Sequence, residues 1–231
     1  MSGPSSAGSS ESDARKGSTR PSLADGIGAK PPLELLLATR SAGKIREIRQ
    51  MAAERGWIWH GLDEFPLVPD AIEDGATFAE NACKKALYYN QATGLPALAD
   101  DSGLEVDILG GEPGVHSAYY AGLPRDDAAN NAKLIAELRG VAHEKRTARF
   151  RCVLVLADRG KICLQTEGVI EGLIVDTPRG TNGFGYDPHF FVSHLAKSTA
   201  ELPSEEKNAI SHRGQALRAM LPKIADWAAK R

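Results

Sequence analysis

Two consecutive carboxylates, Asp100 and Asp101, follow the apolar residues 96–99 and precede Ser102-Gly103. Magnesium takes one or two carboxylates and completes its shell with water and substrate phosphate. A metal-bound water beside a carboxylate becomes a usable nucleophile at neutral pH. Read as the C-terminal end of a buried strand, the pair stands where ligands dock on open α/β sheets. A strand-end turn capped by Asp gives the same residues, although adjacent carboxylates repel unless a cation is near. Glu73-Asp74-Gly75 precedes a helical segment. Glu73 is its candidate metal ligand, because Glu80 already has a capping position. Of Lys84 and Lys85, only one can point toward a phosphate.

A second group of residues is suited to an anion. Thr39-Arg40-Ser41-Ala42-Gly43-Lys44 joins a strand to a helix, so free N–H groups and the positive dipole end would face a ligand, with Lys44 as a point charge. The Walker pattern is absent, and a capped surface helix with a solvated lysine reads the same. In Thr181-Asn182-Gly183-Phe184-Gly185-Tyr186-Asp187-Pro188, glycines flank an aromatic ring that could stack on a flat ligand. Asp187 is held extended by Pro188; a hairpin turn with buried aromatics is the alternative. Lys207 and the His212-Arg213 pair surround a helix junction. Lys207 suits a phosphate or ribose, and His and Arg can donate to a purine O6 or stack on its face.

These residues need elements to hold them. Residues 33–38 read as a short buried strand. The helix after Lys44 carries Ile45, Ile48 and Met51 on one face and stops at Gly56. Residues 57–60 suggest another strand. Thr77 and Glu80 have capping-box spacing for a helix ending near Gly94, and residues 96–99 form the next strand. Asp126 caps a helix with Ala132, Ile135 and Leu138 inward. Residues 147–157 and 161–175 read as long paired strands about Asp158-Arg159-Gly160. Ser204 opens a short helix, and residues 214–230 close the chain with an amphipathic helix interrupted by Pro222. Interleaved helices and strands make the class α/β with a mixed sheet.

The chain has 231 residues with 28 basic and 30 acidic side chains, a balance that argues against a nucleic-acid polymer as partner. Cys83, Cys152 and Cys163 form no framework and no metal pattern, and read as buried thiols in a reducing compartment. No apolar run approaches the ~20 residues of a membrane span, and residues 1–31 lack a secretory core. The expectation is a cytoplasmic protein without membrane association. Residues 1–31 read as a disordered extension, and residues 32–231 as the folded domain.

Taken in order, the segments T-R-S-A-G-K, T-F-A-E-N-A, A-D-D-S-G-L with L-G-G-E-P-G-V-H-S-A, R-T-A-R-F-R-C, G-F-G-Y-D-P and E-E-K-N-A-I-S-H-R-G resemble the inosine triphosphate pyrophosphatase family. These are the Ham/RdgB-type enzymes that act on aberrant purine nucleotides, and the resemblance runs from about Leu33 to the C-terminus. It implies an elongated mixed β-sheet flanked by helices, with two lobes around a central nucleotide cleft, in a homodimer. It implies Mg2+-dependent hydrolysis of ITP, dITP and XTP to monophosphate and pyrophosphate. By carry-over, Thr39, Arg40, Ser41, Ala42, Gly43 and Lys44 grip the triphosphate. Asp101 is the general base and, with Glu73, the magnesium site, while Ser102 contacts substrate. Phe184, Gly185, Tyr186 and Asp187 line the base, Lys207 binds substrate, and His212 with Arg213 recognises the purine. The family usually has Asn where this chain has Ser41, whose side chain reaches less far. Ile72 beside Glu73 leaves less charge before the capped helix.

Overall fold

The sheet grows from the run of leucines near residue 35. In the computed structural model, which describes residues 31–231, β1 (Glu34–Leu37) buries all three of its leucines. The expected N-terminal extension thus lies outside the described residues, apart from Pro31. Residues 32–231 form one unit. α1 (Ala42–Ala52) buries Ile48 and packs Ile45 and Met51 against the same cluster. A 3-10 turn ends at Gly56, whose φ of 64° is the left-handed value that glycine adopts without strain. β2 (Ile58–His60) then pairs in parallel with β1.

α2 (Phe78–Thr93) starts at Thr77, whose hydroxyl accepts from the Glu80 N–H. The Glu80 carboxylate takes the N–H of Ala76 rather than that of Thr77, so the capping pair is offset by one residue. β3 (Ala97–Val106) pairs with β1 in parallel only at Ala97 and Leu98, and with β4 (Thr147–Asp158) antiparallel along its whole length. It therefore runs straight through Asp100 and Asp101 instead of ending before them, which corrects the strand-end reading. α3 (Asp127–Glu137) is capped by Asp126, as expected, but it buries Leu134 and Asn130 and leaves Ala132 exposed. β5 (Lys161–Ile174) completes the long hairpin with β4. β6 (Phe190–Val192) and β7 (Lys197–Ser198) finish a seven-stranded mixed sheet of order β2-β1-β3-β4-β5-β6-β7. α4 (Ser204–Ile210) and α5 (His212–Ala229) close the chain.

Alternation along the strands sorts the core. Leu35, Leu37, Leu98, Cys152 and Leu154 pack on α1 and α5, while Leu36, Ala38, Ala97, Ala99 and Val153 pack on α2. A third cluster surrounds Leu104, Val106, Phe150 and Phe190. On β3 the change from the first two clusters to the third falls at residues 100–103. No helix of the described residues is long and apolar enough to cross a membrane.

Candidate active site

The site forms where β1 stops. The carbonyls of Pro96 and Leu98 accept from Leu36 and Ala38, so the next carbonyl in that row, Asp100 C=O, faces an edge with no strand beside it. Two lysines supply the donors instead. Lys85 Nζ, from α2, lies 2.8 Å from that oxygen, and Lys44 Nζ, from α1, lies 3.5 Å from it. The two-residue period of the strand sends the neighbouring carboxylates to opposite faces of the sheet.

On the α1–α5 face, Asp100 is fully buried and each of its oxygens has two partners. Oδ1 accepts from Ser102 Oγ at 2.8 Å and from Lys44 Nζ at 2.5 Å. Oδ2 accepts from Arg213 Nε at 2.7 Å and the Cys152 thiol at 3.2 Å. Burial would raise the Asp100 carboxyl, but Arg213 and Lys44 outweigh it and hold it well below the usual carboxylate range. Arg213 also donates to Glu47 Oε2 at 2.5 Å and Ser102 Oγ at 2.7 Å. Glu47 Oε1 accepts from Lys207 Nζ at 2.9 Å, and Lys207 reaches Asp187 Oδ2 at 2.6 Å. Lys44, Lys207 and Arg213 thus interleave with Asp100, Glu47 and Asp187, three cations with three carboxylates. Removing one member would leave a buried charge uncompensated.

On the α2 face the balance differs. Lys85 Nζ sits 2.7 Å from Asp101 Oδ1 and 2.8 Å from Glu73 Oε2, one cation between two carboxylates. Asp101 Oδ2 is buried and has no partner among the described residues. Burial pushes the Asp101 carboxyl up to about 6, against the pull of Lys85 and Lys44. Lys84 turns outward to Asp74, so Lys85 is the inward member of the pair. Among the described residues no three His, Cys, Asp or Glu side chains assemble into a metal cage.

The turn of residues 39–44 joins β1 to α1. Ser41 stands at the N-cap of α1 without using its side chain there, and its own N–H is taken by Thr39 Oγ1. Among the described residues the N–H groups of Ala42, Gly43 and Lys44 have no acceptor, and such free N–H groups at a helix start, with the helix dipole, suit an anion. Arg40 turns the other way, to Asp70 Oδ1 at 2.5 Å, Val68 O at 3.0 Å and Leu62 O at 3.5 Å. It ties the turn to the connection that carries Glu73.

In the 183–187 loop, Gly183 and Gly185 adopt φ of 77° and 62°, values that L side chains rarely take. The Phe184 ring lies over Lys207 and Arg213, 5.1 and 5.7 Å from its centroid. Asp187 points inward, accepting from the Phe184 N–H, Thr199 and Lys207, so its work is to hold the loop. Tyr186 is buried with its hydroxyl on Ser117 O. His212 stacks on Phe150 at 4.9 Å between centroids. Burial, with Arg213 adding to it, drives the imidazole well below its usual value, and Nδ1 has no partner among the described residues. Of the sixteen residues singled out from sequence, Thr39, Ser41 to Lys44, Asp101, Ser102, Phe184, Lys207, His212 and Arg213 gather around residues 100–102, with Glu73 joined to Asp101 through Lys85, whereas Arg40, Tyr186 and Asp187 turn into supporting contacts and Gly185 bonds to α3.

Sequence reasoning missed Glu47 and left Lys85 undecided. Glu47 stands in K-I-R-E-I-R-Q, where a glutamate normally faces water. The only available signal was its place one turn after Lys44, on the side of the helix that adjoins the apolar stripe.

The Ham1 family model matches residues 35–223. A dITP/XTP pyrophosphatase from Geobacter sulfurreducens is 52% identical over 193 residues, covering 84% of this chain and 96% of that protein. One from Lactiplantibacillus plantarum is 51% identical, covering 86% and 98%. Among solved structures, a HAM1 protein from Coxiella burnetii matches with a TM-score of 0.77 at 42% identity, covering 84% of this chain and 99% of that one.

Proposed function

This chain belongs to the Ham1 family, and we propose that it hydrolyses dITP, ITP and XTP to the monophosphate and pyrophosphate, keeping these nonstandard purines out of DNA and RNA. The observation that carries the mechanism is Asp101: a buried carboxylate with one oxygen held by Lys85 and the other free, raised to about 6. A base with a pKa near the working pH is the most effective kind. Asp101 orients the attacking water and accepts its proton. Lys44 and the N–H groups of Ala42, Gly43 and Lys44 hold the triphosphate, and Ser102, fixed between Asp100 and Arg213, contacts it by turning its one proton from Asp100 to a substrate oxygen. Positioning and charge neutralisation do most of the work in such reactions.

The residues fit magnesium. Asp101 Oδ2 is an orphaned buried oxygen, Glu73 stands beside it through Lys85, and two carboxylates with phosphate and water make the usual magnesium set. Mg2+, when bound there, would neutralise phosphate charge and acidify a water. Glu73 and Asp101 are the residues that would hold it.

Base choice falls to Phe184 for stacking and to His212 and Arg213 for polar pairing. Groups that donate to O6 leave the amino group of adenine without an acceptor, at a cost of ~1–3 kcal/mol per mispaired group. We read the working form as a homodimer in the cytoplasm; light scattering at twice the 24.7 kDa chain mass would support the dimer.

The test is pyrophosphate release from ITP, XTP, dITP, ATP, GTP and dTTP, each with magnesium and with EDTA. Release confined to the first three and lost with EDTA is the expected result. Release from dTTP instead would keep the chemistry and move the substrate to pyrimidines. Silence from a folded sample would turn the reading to nucleotide binding without catalysis.

A further inference from the structure

The second residue of α1 is a glycine whose backbone is ordinary right-handed helix. Within a helix, glycine is about 1 kcal/mol worse than alanine, so the fold of the helix does not ask for it. What asks for it is a neighbour. A Cβ at Gly43 would lie 2.5 Å from Cδ1, 2.7 Å from Cε1 and 2.9 Å from Cγ of Phe184, closer than carbon atoms approach without displacement.

The ring cannot relieve this by moving its loop. The Phe184 N–H donates to Asp187 Oδ2 at 2.8 Å, the Gly185 N–H to Asp127 at 3.0 Å, and Asn131 donates to the Gly185 carbonyl at 3.0 Å. Gly183 packs so tightly on Asp187 that a Cβ there would meet its carboxylate. The backbone on both sides of Phe184 is therefore fixed to Asp187 and α3. Only rotation of the ring, off Lys207 and Arg213, would make room for a methyl group.

We propose that Gly43 is a positioning residue for Phe184. The bare first turn of α1 is the seat of the ring, and the missing methyl sets the spacing between the phosphate-binding turn and the ring that faces the base. The inference rests on the reading of Phe184 and the turn given under Proposed function. It assigns Gly43 a task that its backbone N–H alone does not explain.

The test is a double-mutant cycle: the unmutated chain, Gly43→Ala, Phe184→Ala and the pair, each assayed for KM and kcat on ITP with magnesium. Gly43→Ala is expected to raise KM about tenfold, the size of one aromatic contact, with a smaller change in kcat. In the Phe184→Ala background the same methyl should change KM less than about twofold. An unaltered KM in the Gly43→Ala chain, or an equal rise in both backgrounds, overturns the proposal. Should Gly43→Ala fail to fold, the pair decides. It folds and matches Phe184→Ala if the ring is what the methyl meets, and fails likewise if the methyl offends something else. If the unmutated chain releases no pyrophosphate from ITP, the functional reading fails on its own. The four chains are then compared by the rise in Tm that ITP produces, with the same pattern expected and the same outcomes overturning it.

Discussion

The two faces of β3 carry neighbouring aspartates into opposite kinds of surroundings. On the α1–α5 face Asp100 meets four donors, and its cluster balances three cations with three carboxylates. On the α2 face Asp101 shares a single lysine with Glu73 and keeps a buried oxygen unpaired. The first is a finished lattice of charges, organised before any ligand arrives. The second is one positive charge short, the condition that a cation and a proton transfer can exploit. Residues one position apart thus meet opposite surroundings, and a sequence pair that reads as one motif is two arrangements.

The sharpest way to break this comparison is at Asp101. Asp101→Asn is expected to lower kcat for ITP by about 10²–10⁴-fold, the usual weight of a positioned base, while the circular dichroism spectrum stays that of the folded chain. A variant with near-normal turnover at saturating magnesium would remove Asp101 from the chemistry. The opposite signature belongs to the other face. Glu47→Ala leaves Arg213 and Lys207 short of a buried counter-charge and should cost about 3–5 kcal/mol of stability, read from the urea midpoint. A midpoint within error of the unmutated chain would mean that the cluster is not a structural lattice.

Smaller effects sharpen the same contrast. Glu73→Gln is expected to raise the magnesium needed for half-maximal rate about tenfold, in the range seen for groups that tune metal sites. An unshifted requirement would leave Asp101 as the single carboxylate concerned. The least effect is a pH dependence. The folded-state pKa of Asp101 is raised to about 6, so its stabilising share is complete below the unfolded value near 3.9 and is lost as pH rises through 6. Without metal, Asp101→Asn should therefore melt above the unmutated chain at pH 8, with the gap shrinking toward pH 4. A gap independent of pH would contradict the raised pKa.

Much of this arrangement could be read from residue order, and the exceptions have a common cause. The buried leucines of β1, the cap at Thr77, the Asp126 cap and the β4–β5 hairpin are local signals, and the structure has each of them. The glycines around Phe184 also adopt the conformations their type suggests. The reading ended the strand at Ala99, where the apolar run ends and two carboxylates begin that repel unless a cation is near. They become tenable through Lys44, Lys85 and Arg213, which come from three different helices. Glu47 was invisible for the same reason, since its partners lie 160 and 166 residues further along the chain. Asp187, which the resemblance places along the base, is drawn inward by Lys207 and Thr199, partners that its own loop does not reveal.

The short reach of β1 has one more consequence. The acceptor on which Lys44 and Lys85 converge from opposite faces is a main-chain carbonyl, so no codon change at position 100 can delete it. Replacing Asp100 would remove a carboxylate and leave this meeting point of the two half-sites in place. That part of the candidate site is set by the route of the chain and not by the identity of a side chain. Lengthening β1 by a residue or two would pair this free edge and take the carbonyl from the two lysines.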